Sequence, residues 1–175
     1  MIKKTINVKE TSFTQAINIS AQWCKEWGED LLSEEVLADR IAELIKTKNG
    51  LRGFFAYALS DKDCFLLDKL PFSLMYKLNE AGGSVADIVV KNLIMSSAQI
   101  IIHRRDNNKD YEITSENISC RCKAILRLLE TKSVAKFVDK ALRELDTMGN
   151  SFDNSVKYDS EQKEFIKKQI LDIAQ

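Results

Sequence analysis

The sequence predicts an all-α fold: a single-domain bundle of about seven to eight helices around a central buried helix, residues 84–105, with a short extended segment at the N-terminal side. Three observations carry this expectation. One proline and six glycines are few breakers for 175 residues rich in Leu, Lys, Glu, Ile and Ala. Apolar residues recur at helical spacing through most of the chain. The stretch from Ser84 to Arg105 is apolar on nearly every face, since Val85, Ile88, Val89, Leu93, Ile100 and Ile101 are joined by Val90, Ile94, Met95 and Ile102. A helix with so little circumference suited to water belongs in a core.

In chain order, Met1 to Glu10 alternates weakly around Ile6 and Val8 and reads as a tail or edge segment. From Ser12, Phe13, Ile17, Ala21, Cys24 and Trp27 give a first helix ending near Gly28. Ser33 caps a second, with Glu34 and Glu35 in its first turn, and Asn49-Gly50 is expected to close it through a left-handed glycine. Leu51 to Leu59 could fill a strand through Phe54, Phe55, Tyr57 and Leu59, but the interleaved Ala56 and Ala58 favour a short buried helix, in which Gly53 allows a close backbone approach. Pro71 suits the first position of the next helix, with Phe72, Leu74, Met75 and Leu78 as its buried side and Gly82-Gly83 as its end. Ser84 is then the expected N-cap of the central helix, and His103, Arg104 and Arg105 favour its negative C-terminal end.

After the polar connection from Asp106, Thr114 or Ser115 is expected to cap a helix carrying Ile118, Cys122, Ile125 and Leu129 on one face. A stripe from Val134 to Met148 follows, and these two helices are expected to pair as an antiparallel hairpin. The expected organisation is a helical bundle domain at 1–148, a loop or linker at 149–159 and an amphipathic C-terminal helix at 160–175. That last helix, with Phe165, Ile166, Ile170 and Ile173, is expected to dock on its own chain or on a partner.

Composition narrows the function classes. Twenty-six basic and twenty-six acidic side chains give no net charge, so nothing global attracts nucleic acid or an anionic membrane. No positively charged leader with an apolar run opens the sequence, and the uncharged stretch 92–102 is shorter than the roughly 20 residues of a bilayer span. A cytoplasmic protein with four reduced cysteines is the expectation.

Candidate chemistry is sparse. His103 is the sole histidine, so any triad would have to use it, and no phosphate-binding glycine loop, nucleophile elbow or zinc-protease motif occurs. Cys120 and Cys122 lie about 200° apart on a helix, and no paired CxxC knuckle joins them to Cys24 or Cys64, so no metal and no cofactor is expected. His103, Arg104, Arg105 and Arg127 are the candidates for a ligand or anion. Trp23 and Trp27, four apart on one helix face, are interface candidates together with Phe165, Ile166, Ile170 and Ile173. These readings converge on a non-enzymatic helical protein that acts through protein contacts, with itself as a homo-oligomer or with another protein. The alternative is a small-molecule sensor with an apolar pocket against the central helix and Arg104 or Arg105 at its mouth.

Overall fold

The structure, a computed structural model, describes residues 11–147 and 157–174. The expected N-terminal extended segment, Met148 and most of the 149–159 linker lie outside the described residues. Among those described there are seven α-helices, one 3-10 turn and no strand, so the fold is all-α. The helices are α1 (Phe13–Gly28), α2 (Glu34–Leu44), α3 (Lys48–Ser60), α4 (Phe72–Arg105), α5 (Lys109–Leu128), α6 (Thr131–Asp146) and α7 (Ser160–Leu171), which runs into the 3-10 turn Asp172–Ala174. The chain forms two compact units, Met1–Ala81 and Gly82–Gln175.

In the first unit α1 opens with a reciprocal cap. Ser12 Oγ accepts from the Gln15 N–H at 3.2 Å, and the Gln15 side chain accepts from the Ser12 N–H at 2.9 Å. Ser33 caps α2 by accepting from the Val36 N–H at 3.3 Å. Asn49-Gly50 does not close α2, as its spacing suggested; Gly50 lies in the first turn of α3, where Thr47 caps its N–H at 3.0 Å. Its role is close packing, because a Cβ there would meet the carbonyl of Leu44, whose carbon would be 2.8 Å away. Gly53 makes the approach expected of it: α1 crosses α3 at this point, with Phe13 O and Ile17 N within about 3.1 Å of where a Cβ would stand. Phe54 and Phe55 meet edge to face, ring centroids 5.0 Å apart, and both are fully buried.

Pro71 directly precedes α4, and its carbonyl accepts from the Met75 N–H at 2.9 Å. Leu74 and Leu78 are buried here, but Phe72 is not on the buried side: it is 75% exposed. The expected break at Gly82-Gly83 is present: Gly82 stands at φ 42° and ψ −107°, outside helical geometry and in a conformation that glycine adopts without steric cost, so α4 is two helical stretches that meet at a kink there.

In the second unit the span after Gly82 is shielded on most sides. Val85, Val89, Val90, Leu93, Ile94 and Ile100 are buried, while Ser84, Met95 and Gln99 mark one narrow exposed strip. By length and composition α4 could cross a membrane, yet 61% of its apolar window is buried, which suits a core helix. The buried hydroxyls of Ser96 and Ser97 both donate to the carbonyl of Leu93, at 3.1 and 2.6 Å.

α5 begins five residues before the expected cap at Thr114, with Asn108 accepting from the Tyr111 N–H. Its early buried positions are Glu112, Ser115 and Ser119, so an apolar pattern could not reveal them. Leu129 and Glu130 join α5 to α6 in extended conformation, and α6 packs against α7. The α6 stripe buries Val134, Ala141 and Leu145. α7 docks within this unit through Ile166 and Ile170, both buried, and through Gln162, whose amide donates to the carbonyl of Ala98 at 3.3 Å.

Candidate functional site

The first unit holds a half-open cleft of about 440 Å³. One wall is the last two turns of α1, with Ala21, Cys24, Trp27 and Gly28; the other is Tyr57 on α3 and the segment Asp61–Leu66 that follows it. Local sequence explains the placement. Cys24 and Trp27 are three apart, so both face the same side of α1. The Asp61 carboxylate accepts from the Asp63 N–H at 2.8 Å, a turn that brings Cys64, Phe65 and Leu66 back toward α1. Phe65 stands 61% exposed at the cleft, while Cys64 and Leu66 are buried behind it.

The cleft's titratable groups face one another. Cys24 and Cys64 both line this cleft, and Cys64 is the neighbour with the largest influence on the Cys24 thiol. Hydrogen bonding toward Cys64, followed by burial and the charge of Asp61, pushes the Cys24 thiol well above its ordinary range. Burial pushes the Tyr57 hydroxyl up as well, with both cysteines and Asp61 adding to it. At neutral pH the Cys24 thiol and the Tyr57 hydroxyl are therefore protonated and uncharged, which leaves Cys24 without the thiolate that a nucleophile needs.

The anion candidates of the second unit are occupied by the chain's own carboxylates. Arg104 Nε lies 2.6 Å from the buried carboxylate of Glu112, and Arg104 Nη2 lies 3.0 Å from Glu116; the guanidinium also covers the Phe165 ring. Arg105 pairs with Asp159 at 2.6 Å and with Glu161. Arg127 donates to the Asp172 carbonyl at 2.6 Å. His103 stacks on Tyr111, ring centroids 5.5 Å apart. Rather than converging on a free pocket, the three arginines bind α7, its flanks and α5 by ion pairs and hydrogen bonds.

The interface candidates divide. Trp23 is 6% exposed beneath Arg40, whose guanidinium lies 5.7 Å from its ring, so it belongs to the core. Trp27 is half-buried in the cleft wall. Ile166 and Ile170 are core, with Phe165 and Ile173 half-buried beside them. Cys120 is exposed and Cys122 fully buried, on different sides of α5.

Asp61 and Phe65 were not among the candidates read from the sequence, since they lie between Leu59 and Pro71, outside any helical stripe. The available signal was the juxtaposition of Cys64-Phe65-Leu66 with the turn at Asp61, an apolar run outside any helical period.

One family model, described as Uncharacterised conserved protein UCP020893, matches residues 12–173. No curated protein matches the chain, and no solved structure does.

Proposed function

The chain belongs to this uncharacterised conserved family across residues 12–173, and on that premise we propose that it is a non-enzymatic helical binding protein acting through protein contacts. The observation that carries the reading is the cleft of the first unit with Phe65, 61% exposed, beside the half-buried Trp27. Aromatics at an open apolar cleft are typical anchors of protein interfaces. Leu31, Phe72 and Tyr76 add exposed apolar side chains to the same unit, Phe72 and Tyr76 being one turn apart on α4. A cytoplasmic setting fits this reading, since all four cysteines are free thiols.

The first partner to test is a second copy of the chain. Sedimentation over a wide concentration range should show reversible dimer formation, and Phe65→Ala should weaken it at least tenfold if Phe65 is an anchor. A monomer at every concentration in both proteins would exclude self-association.

A second reading, a small-molecule sensor, is favoured by the cleft's size and by the convergence of Tyr57 and Asp61 on it. About 440 Å³ falls within the usual span of ligand sites. This cleft lies between α1 and the end of α3, not against residues 84–105 with Arg104 or Arg105 at its mouth. A thermal shift with a metabolite panel that is abolished by Tyr57→Phe would support it; no shift would count against it.

A further inference from the structure

We propose that the cleft of the first unit is a binding site for a small organic cation, an amine or quaternary ammonium carried on an apolar body. The inference rests on the second reading above, that this cleft takes a small molecule, and adds the chemical class of that molecule. Two kinds of group line the cleft together. Trp27 on α1, Tyr57 on α3 and Phe65 in the segment after α3 supply three aromatic rings, while Asp61 and Asp63 supply two carboxylates. An aromatic face attracts a cation held within about 6 Å of the ring centre, most strongly where water is partly excluded. Rings beside carboxylates therefore select for positive charge, and apolar walls select for a hydrocarbon body.

The charges around the cleft have the matching sign. Lys25 is the one cationic side chain among the described residues of the lining; it is 75% exposed and lies 3.8 Å from Glu29, one turn on, which offsets its charge. Asp63 is exposed and makes no ion pair among the described residues. Asp61 is half-buried, and its negative charge bears on the cleft, where it helps to raise both the Tyr57 hydroxyl and the Cys24 thiol. Tyr57 consequently presents a neutral ring at neutral pH, with a hydroxyl oxygen that can accept from an ammonium N–H. The second unit provides the contrast, since there Glu112 and Asp159 are already engaged by Arg104 and Arg105.

Size and exposure agree with this assignment. At about 440 Å³ and half open, the cleft holds one such molecule with an edge left in water. A ligand seated there would also cover part of Phe65, whose large aromatic side chain is otherwise 61% exposed.

The test titrates the full chain with three probes of similar size and different charge: phenethylammonium, 2-phenylethanol and 3-phenylpropionate. Amide and indole chemical shifts both follow the binding and locate it. Phenethylammonium should move the resonances of residues 24–28 and 57–66 and bind about tenfold more tightly than 2-phenylethanol, with 3-phenylpropionate weaker still. Asp61→Asn combined with Asp63→Asn should remove that preference and leave 2-phenylethanol binding unchanged. The turn should survive, because an asparagine oxygen at position 61 can still accept from the N–H of residue 63. If the double variant fails to fold, the charge series in the native chain decides alone. Equal or tighter binding of the neutral or anionic probe in the cleft would overturn the inference while the small-molecule reading stands. No shift in the cleft with any of the three would sink both, and a cation that binds only outside the cleft would overturn the inference as well.

Discussion

Arg105, at the end of α4, holds the carboxylate of Asp159, 54 residues further on, with Nη1 2.6 Å from Oδ2 and Nη2 3.2 Å from Oδ1. This two-pronged grip, shared with Glu161, ties the start of α7 to the central helix. At the other end Lys123 donates to Asp172 at 2.7 Å and Arg127 to its carbonyl. The apolar contact of Ile166 and Ile170 lies between these two anchors. Exposed pairs contribute little to global stability, so Arg105→Ala should leave the overall unfolding transition nearly unmoved. Its effect should be local: faster amide exchange across Ser160–Leu171, with the buried amides of α5 unchanged. Unaltered exchange in α7 would show that Ile166 and Ile170 hold the helix alone.

The same anchors predict an acid response. The Arg105 guanidinium and the Gln162 N–H hold the Asp159 carboxyl down at about 2. Lys109 and Arg104 lower Glu112, and Lys123 lowers Asp172. Each carboxyl is more acidic folded than unfolded, so each stabilises the fold above its unfolded value and that contribution disappears as pH falls through the folded value. For Asp159 the window runs from roughly pH 4, the ordinary aspartate range, down to about 2. Local opening of α7, read as amide exchange corrected for its intrinsic pH dependence, should therefore be flat above that window and rise within it. In Asp159→Asn the part of the rise owed to this residue should be missing.

Most of the helical pattern was legible because burial and period coincide in it: α1 and α2 announce themselves by stripe and cap, α6 and residues 84–105 by their apolar faces. Where polar residues are buried the pattern misled. The start of α5 is hidden because Glu112, Ser115 and Ser119 occupy its inner face, and Glu112 is tolerable there only through Arg104 and Lys109. Gly50 and Gly82 were both read as stops, and only Gly82 is a break; a glycine in sequence does not reveal whether it serves a turn or, as Gly50 does, a close approach. The cleft was less legible still, since it joins Cys24 and Trp27 to Cys64 and Phe65 across about forty residues of chain. The arginines were read as candidates for a ligand or anion, whereas the partners they hold, Glu112, Asp159 and Asp172, lie on segments whose placement only tertiary structure supplies.

Gly53 tests the packing of α1 on α3. A methyl added there would run into the Ala16 methyl and stand 3.0 Å from the Phe13 carbonyl oxygen, a backbone atom that cannot swing aside. Gly53→Ala gains helix propensity of about 1 kcal/mol but overpacks a buried crossing, which costs about 1–3 kcal/mol. The steric cost should prevail because part of the obstruction is backbone. Chemical denaturation should show a loss of stability, and Ala16→Gly in the same chain should recover part of it by removing the opposing methyl. A stabilised single variant would mean that the two helices can part without penalty.

Ser119 offers the opposite sign. It is buried on the inner face of α5, and its hydroxyl finds no hydrogen-bond partner among the described residues, in contrast to Ser97, whose hydroxyl donates to Leu93 O at 2.6 Å. A buried hydroxyl without a partner costs about 1–3 kcal/mol of desolvation. Ser119→Ala removes that cost, leaves only a small loss of volume and improves helix propensity slightly, so it should raise stability by about 1 kcal/mol. Ser97→Ala, which deletes a satisfied hydroxyl, should give no such gain. Paired denaturation curves of the two variants decide it: equal shifts would mean that Ser119 has a partner, such as a buried water, and that the gain belongs to alanine in a helix rather than to the relief of an orphaned hydroxyl.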